Sequence, residues 1–522
     1  MDRRRAPTHG LARLDRAGES YVDYMGGSLY PDSLVRVHAG FLQRNILGNT
    51  HSVSNPSRLS AACAAEARQA VLDFFHAPPG YTVVFTANAS GALKLVGEAF
   101  PFGRGSAYVL CADAHNSVHG LRRFASARGA DVCYVPATDV GGCDAAEAEV
   151  SLPHLCPPRA SFLVHRDKVA SPRVAGTYPN ADFAASLLRA GHPPPPPPPL
   201  ARTPHARSSR SPRSRTSQTR SCPSRCSPPR ARGLRHAPRR RGARADLALS
   251  LAEHPVDALA VSFYKMFGFP TGVGALVART DFLERLERPW FAGGTVDVVQ
   301  APGTVVTMAA EMHERFEDGT INYLGFAAVT DGLRFLSAYL PFLPIRLSSL
   351  THYLIDSLES IRHDVSETPV VRVLSRKPGK VVKSVGEQAD TGSTVAVLFL
   401  APSGEMLPNS FIEHAATASG LALRTGCMCN PGGAAALLGL RDMMASLPEN
   451  ATYAAFEAHM GRELGVVRLS LGLASDWRDV WRVLEFARAV AREDRRAHMW
   501  AEWIADGGAV CGEAGEAHGS AR

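Results

Sequence analysis

Val261-Ser-Phe-Tyr-Lys265-Met-Phe-Gly-Phe-Pro-Thr-Gly-Val-Gly274 is the stretch that decides the fold of this chain. The apolar run Ala258 to Val261 reads as a buried strand, and the glycines and proline that follow as a tight turn. Lys265 is thereby delivered to the strand end between Tyr264 and Met266, with little water around it. Desolvation disfavours its ammonium form, so the amine can attack a carbonyl. A Schiff base with the aldehyde of pyridoxal phosphate is the simplest chemistry this suggests. A lysine snorkelling from a strand end explains the same few residues, so the rest of the chain has to decide.

Working outward, Thr82-Val-Val-Phe-Thr86 is a second buried strand, followed by Ala87-Asn-Ala-Ser-Gly91 and an apolar helical run, Ala92 to Phe100. Strand, small polar loop and helix set free N–H groups and a helix N-terminus against a phosphate. Ala107 to Leu110 is a strand ending at Asp113-Ala-His115, Asp131 to Val135 is another, and Ser57 to His76 has helical spacing. Tyr21 to Pro31 reads as a short strand entering a glycine turn. Strands and helices alternating at this density predict an α/β fold, a mostly parallel sheet covered by helices. From Val370 to Leu473 strands (Thr394 to Leu400, Val466 to Leu471) mix with helices, as in a smaller α+β domain.

A chain of 522 residues that is 45% hydrophobic can bury a large core, as a soluble globular enzyme of several domains does. No run of 18 apolar residues occurs, and Met1-Asp2-Arg3-Arg4-Arg5 leads into no apolar segment, so neither membrane insertion nor secretion is expected. Ten cysteines without framework spacing suit free thiols in a reducing, cytoplasmic compartment. The net charge of +8 belongs to one segment: between Gly191 and Arg244 stand fourteen arginines and no lysine or acid, leaving −6 for the remainder. That segment opens with Pro193 to Pro199 and continues in Arg, Ser and Pro, a composition that builds no core and is expected to be disordered or extended.

Seven stretches occur in one order: Asn45 to His51, Phe85-Thr-Ala-Asn-Ala-Ser-Gly-Ala-Leu, Asp113-Ala-His115, Ser262-Phe-Tyr-Lys265-Met-Phe-Gly-Phe-Pro-Thr-Gly, Arg315-Phe-Glu-Asp-Gly-Thr, Arg424-Thr-Gly-Cys-Met-Cys-Asn-Pro-Gly and Val466-Val-Arg-Leu-Ser-Leu-Gly. Together they resemble the class V aminotransferase and cysteine desulfurase superfamily, and more narrowly the N-terminal part of the molybdenum cofactor sulfurases. The resemblance implies a pyridoxal-phosphate-dependent transferase of fold type I. Its large domain (41–330, interrupted by an insert at 191–245) would hold a mostly parallel sheet of the seven-stranded type. A smaller α+β domain (331–490) would carry the cysteine loop, with an N-terminal arm (1–40) packing on it and a tail (491–522).

The same resemblance implies the roles. Lys265 forms the Schiff base, Ser262, Ala89 and Ser90 hold the cofactor phosphate, and His115 stacks on the pyridine ring. Thr295 reaches the phosphate of a neighbouring subunit in a homodimer; an ordinary turn threonine is the alternative. Arg468 forks onto the carboxylate of L-cysteine, Arg424 favours a thiolate, and Asn49 assists substrate binding. Cys429 takes the substrate sulfur as a persulfide, with Cys427 as the alternative holder, and alanine is released. The sulfur would serve the molybdenum cofactor of xanthine dehydrogenase or aldehyde oxidase. No metal is expected at Cys427 and Cys429, which lack the second pair zinc needs, and Ala434 stands where relatives often have a third cysteine. The chain reaches Arg522 through an Ala/Gly/Glu tail, so the further domain of full-length sulfurases is not expected in it.

One element departs from the pattern. The family holds the pyridine nitrogen with an aspartate about 26 residues before the lysine. Counting back from Lys265 lands on Arg239, with no acid between Asp182 and Asp246, and the preceding segment reads Ser171-Pro-Arg173. An arginine repels a pyridinium. A core strand is expected to be missing as well, leaving a gap in the sheet. The tract reads either as a retained intron or shifted frame, or as a real insertion in a chain without desulfurase activity. Ser209-Arg-Ser-Pro-Arg-Ser-Arg215 also resembles segments that bind RNA or protein partners, but no aromatic interleaves the arginines and nucleic acid is not expected as a partner. A pyridoxal phosphate lyase or aminotransferase for another amino acid is the third reading, and such an enzyme needs no thiol.

Overall fold

Leu259 and Val261 pack with Phe85, Val277 and Phe326, while Ala258 and Ala260 pack with Leu93, Val96 and Tyr108. The strand is thus covered on both faces, which is why its residues are continuously apolar instead of alternating. In the computed structural model residues 12–142, 249–427 and 429–509 are described, together with the backbone of residues 162–166 and 185–190. The Arg/Ser/Pro tract, Ser171-Pro-Arg173, Asp182, Arg239 and Asp246 lie outside the described residues.

Seven strands form the main sheet: β1 (Tyr81–Thr86), β2 (Ala107–Cys111), β3 (Asp131–Val135), β4 (Phe162–Arg166), β5 (Ala185–Ala190), β6 (Ala258–Ser262) and β7 (Gly274–Arg279). Their order is β1-β7-β6-β5-β4-β2-β3. Helices Asn55–Phe74 and Phe326–Tyr339 cover the face that carries Leu259 and Val261, and helix Ala89–Ala99 covers the other. Ser54 caps the first of these by accepting from the Ser57 N–H, and Asn88 caps the last by accepting from Gly91.

The expected gap is not there. β5 fills the place beside the lysine strand, but it runs antiparallel to both neighbours, with Ala185 opposite Val261 and Leu188 opposite Ala258. Backbone pairing is indifferent to which segment supplies the N–H and C=O groups, so a strand from before the tract completes the sheet. Five of the seven strands share a direction, yet only β2·β3 and β2·β4 are parallel ladders, because β5 and β7 are interleaved the other way.

A second, antiparallel sheet comprises β8 (Val371–Val373), β9 (Thr394–Phe399), β10 (Arg424–Gly426) and β11 (Val466–Ser470), in the order β8-β9-β11-β10. Helices Leu343–Ser360 and Trp477–Ala491 back it, and its Val395, Val397 and Leu469 join the same apolar cluster as Leu259 and Val261. The N-terminal segment is tied to this region: Ser20–Tyr21 pairs in parallel with Leu421–Ala422, and Asp23 bridges to Ser470. Among the described residues no helix is long and apolar enough to cross a membrane.

Candidate active site

β1, β2 and β6 run in one direction, so their C-terminal ends meet at one edge of the main sheet, where open α/β sheets bind ligands. Ser262 ends β6 and is buried; its Oγ accepts from the backbone N–H of Ala89 at 2.8 Å. Ala89 begins the helix that follows β1, so the hydroxyl and a helix N-terminus meet at one point. The contact depends on Gly274, paired with both Thr86 and Ser262. A Cβ there would lie 2.5 Å from the Asn88 Cα and from the Val261 carbonyl oxygen. Ser90 bonds Ser117 through their hydroxyls at 2.6 Å, which joins the β1 and β2 loops.

Lys265 does not sit in a simple turn. Ser262 is followed by one turn of helix, Phe263–Phe267, closed by Gly268 at φ +83°, and Phe263 and Phe267 are fully buried. The two phenylalanines anchor the turn and leave Tyr264 and Lys265 partly exposed. Ser28 of the N-terminal segment donates to the Lys265 carbonyl at 2.7 Å. His115 follows β2, and its Nδ1 accepts from the Ser117 N–H at 3.0 Å; the neutral ring therefore carries its proton on Nε2.

Cysteine loop and histidine turn are joined directly. The Asn116 N–H donates to the Cys429 carbonyl at 2.8 Å, and the buried Asn430 Nδ2 donates to the Asp113 carbonyl at 2.9 Å. Gly432 and Gly433 allow this approach: a Cβ on them would lie 2.1 Å from the Ala112 carbonyl oxygen and 1.8 Å from Asp113 Oδ1. Cys429 takes φ +62° and is exposed, whereas Cys427 is half-buried, with Sγ 3.8 Å from the Tyr453 hydroxyl.

Arg468 lies on β11 directly opposite Arg424 on β10, a cross-strand pairing of like charges that is unfavourable by itself. Asp23 resolves it, accepting from Arg468 Nη2 at 2.7 Å and facing Arg424 Nε at 3.2 Å. Arg468 is buried, and its Nε has no hydrogen-bond partner among the described residues. Desolvation lowers the Arg468 pKa, opposed by Asp23 and by the nearby Cys429; Tyr264 is raised by its burial, against the pull of Arg424. Tyr264, Arg424, Arg468 and Cys429 therefore share one electrostatic environment.

Two predicted site residues are engaged elsewhere. Thr295 is fully buried and its hydroxyl donates to the Ala292 carbonyl at 2.8 Å while accepting from the Ala292 N–H. Within this chain the hydroxyl is thus held inside its own loop. Asn49 donates to Thr320 Oγ1 at 3.3 Å and accepts from the His51 N–H. The residues that sequence reasoning passed over are Asp23, Asn430 and Tyr453. Asn430 carried a signal, since the Pro-Gly-Gly after it permits unusually close backbone approach; Asp23 and Tyr453 carried none.

Pyridoxal phosphate fits part of this edge. The Ala89 N-terminus, Ser90 and Ser262 form an anion cradle one helical turn from Lys265. The strand next to the lysine strand reads Ala185-Ser-Leu-Leu-Arg-Ala190, a sequence without an acid to pair with a pyridine nitrogen.

Residues 20–155 and 245–373 match the aminotransferase class-V family. Curated relatives include the molybdenum cofactor sulfurase of Arabidopsis thaliana, 30% identical over 495 residues, covering 91% of this chain and 56% of that protein. The one from Solanum lycopersicum is 29% identical over 479 residues, covering 90% and 55%. The chain thus spans about half the length of the curated relatives it matches. Among solved structures, an apo cysteine desulfurase from Thermococcus onnurineus NA1 superposes with a TM-score of 0.60 at 19% identity, covering 94% of this chain and 99% of that one.

Proposed function

The chain belongs to the class-V aminotransferase family, and from that premise we propose that it is a pyridoxal-phosphate-dependent cysteine desulfurase supplying sulfur for the molybdenum cofactor. The observation that carries the reading is the docking of the cysteine loop on the histidine turn, Asn116 N–H to Cys429 carbonyl, beside the buried Arg468. An aminotransferase or lyase needs no thiol there.

Ser262, Ser90 and the Ala89 N–H would hold the cofactor phosphate, and Lys265 its aldehyde carbon. When bound, the cofactor supplies an electron sink for the substrate α-carbon. Arg468, steadied by Asp23, binds the carboxylate of L-cysteine and fixes the side chain toward the loop. Lys265 Nζ takes the α-proton. Cys429 Sγ attacks the substrate sulfur, forming an S–S bond while the substrate Cβ–S bond breaks and the electron pair stays on carbon. A proton taken up at Cβ, and the return of one from Lys265 Nζ to Cα, complete alanine.

A second reading is favoured by the acid-free strand beside β6. In it, the chain binds the cofactor and stops short of α-proton removal. One experiment separates them: the spectrum of the protein with added pyridoxal phosphate, beside Lys265→Ala, followed by cysteine-dependent alanine release. A band at about 410–420 nm that vanishes in the variant, with alanine formed, supports the desulfurase. The band without alanine supports the second reading, and no band overturns both.

A further inference from the structure

Cys427 and Cys429 belong to one turn, closed by the Asn430 N–H to the Cys427 carbonyl at 3.0 Å, yet they face different surroundings. Cys429 is exposed and shares the field of Arg468 and Tyr264. Cys427 packs against Ala435, Leu440, Phe456 and Leu464, at the wall of a cavity of about 430 Å³. That cavity is apolar apart from a few groups, chief among them the Tyr453 hydroxyl. Tyr453 donates to the Leu464 carbonyl at 3.0 Å, which leaves its oxygen lone pairs toward Cys427. Both cysteines border the cavity, Cys429 at its rim with Asn116. Two residues apart in one turn, they have Cα atoms no more than about 7 Å apart, the most that two residues can span.

We infer that the two cysteines act in series: Cys429 receives the sulfur at the lysine side and passes it to Cys427, which stores it in the apolar cavity. The source of the sulfur rests on the desulfurase reading above. In the transfer, Cys427 Sγ gives up its proton and attacks the terminal sulfur of the Cys429 persulfide. A new S–S bond forms at Cys427, the Cys429 S–S bond breaks, and Cys429 leaves as a thiolate that takes up the proton. One S–S bond replaces another, so no oxidant or reductant is consumed. The arrangement has a chemical reason. A sulfur on exposed Cys429 is open to attack by any thiol in solution. On Cys427 it is shielded by apolar side chains, and the Tyr453 hydroxyl can turn from Leu464 to donate to the terminal anion. Burial holds Cys427 as a thiol until then, so it does not compete for the substrate.

The test follows the sulfur on the intact full-length chain by rapid alkylation and peptide mass spectrometry across residues 425–441. Loading is done in two ways: with L-cysteine on the cofactor-treated protein, and with inorganic polysulfide, which needs no cofactor. The expected result is label at Cys429 first and at Cys427 afterwards. In Cys427→Ser the label stays at Cys429 and is lost faster to added glutathione. In Tyr453→Phe the Cys429 label forms but its passage to Cys427 slows. Label confined to Cys429 in the unaltered chain overturns the relay, as does a Cys427–Cys429 disulfide with released hydrosulfide. Passage from Cys429 to Cys427 with polysulfide but no loading by L-cysteine supports the relay and refutes the desulfurase reading.

Discussion

Replacing Asp23 by alanine removes the carboxylate that stands between two arginines paired across β10 and β11. Arg468 has 5% of its side chain exposed and Asp23 13%, so this is a buried ion pair and not a surface one. Guanidinium stays protonated at any working pH, and deleting its partner leaves a buried charge next to the like charge of Arg424. Loss of one member of such a pair costs about 3–5 kcal/mol. With about 2.1 cal/mol/K of unfolding entropy per residue over roughly 400 ordered residues, the melting temperature should fall by about 4–6 °C. Asp23→Asn keeps an oxygen that accepts from one arginine, and should lose about half as much. The assay is thermal unfolding followed by circular dichroism, repeated with L-alanine as a carboxylate ligand. L-alanine should restore more of the lost stability in Asp23→Ala than it adds to the unaltered chain, because it supplies the missing anion. A melting temperature within 1 °C of the parent, or no differential effect of L-alanine, would refute the role given to Asp23.

Three further outcomes follow from the same coordinates. Burial pushes the Cys427 thiol up while Tyr453 opposes the shift, so its alkylation by iodoacetamide should have a midpoint above the ordinary thiol value, higher still in Tyr453→Phe; peptide mass spectrometry across pH reads it directly. Burial and the Arg68 guanidinium lower His313 to about 4, so the unfolded chain takes up this proton first on acidification and stability should decline as pH falls from about 6.5 toward 4. His313→Asn should flatten that part of the melting-temperature profile. Asn430→Ala leaves the buried Asp113 carbonyl without its donor, at a cost of about 1–3 kcal/mol. It should also free the cysteine loop, seen as faster protease cleavage between residues 427 and 433.

The fold was legible where one residue pattern has one physical explanation. An apolar run covered on both faces, as in Ala258–Ser262, has little choice but a central strand, and the small polar loop after Thr86 has little choice but a helix start. The strand-end position of Lys265, the meeting of Ser262 with the Ala89 helix start and the tight approach of the cysteine loop were legible because each stretch combines polar or reactive residues with glycines that only a close backbone approach requires. Asp23 was not, because its significance lies in a bridge to Ser470 that joins positions some 450 residues apart, and no local spacing records such a pairing. Tyr453 was hidden for the same reason: a tyrosine in a short helix is unremarkable until the Leu464 carbonyl and Cys427 are found on either side of its hydroxyl. For Thr295 the chain by itself shows a hydroxyl bonded to the Ala292 backbone within its own turn, a contact no spacing in the sequence records.

The strand beside the lysine strand carries the last lesson. Counting a fixed number of residues back from Lys265 to find a carboxylate assumes that the neighbouring strand runs parallel, so that its final residues reach the site edge. β5 runs the other way. Its first residue, Ala185, stands opposite Val261 at the lysine end, and its last, Ala190, lies toward the opposite edge. The count that ends at Arg239 falls outside the described residues. A parallel strand and an antiparallel one satisfy the same backbone hydrogen bonds. They present opposite ends of their sequence to the lysine end of β6, so the direction of β5, more than the presence of a strand, decides which end of it lies there.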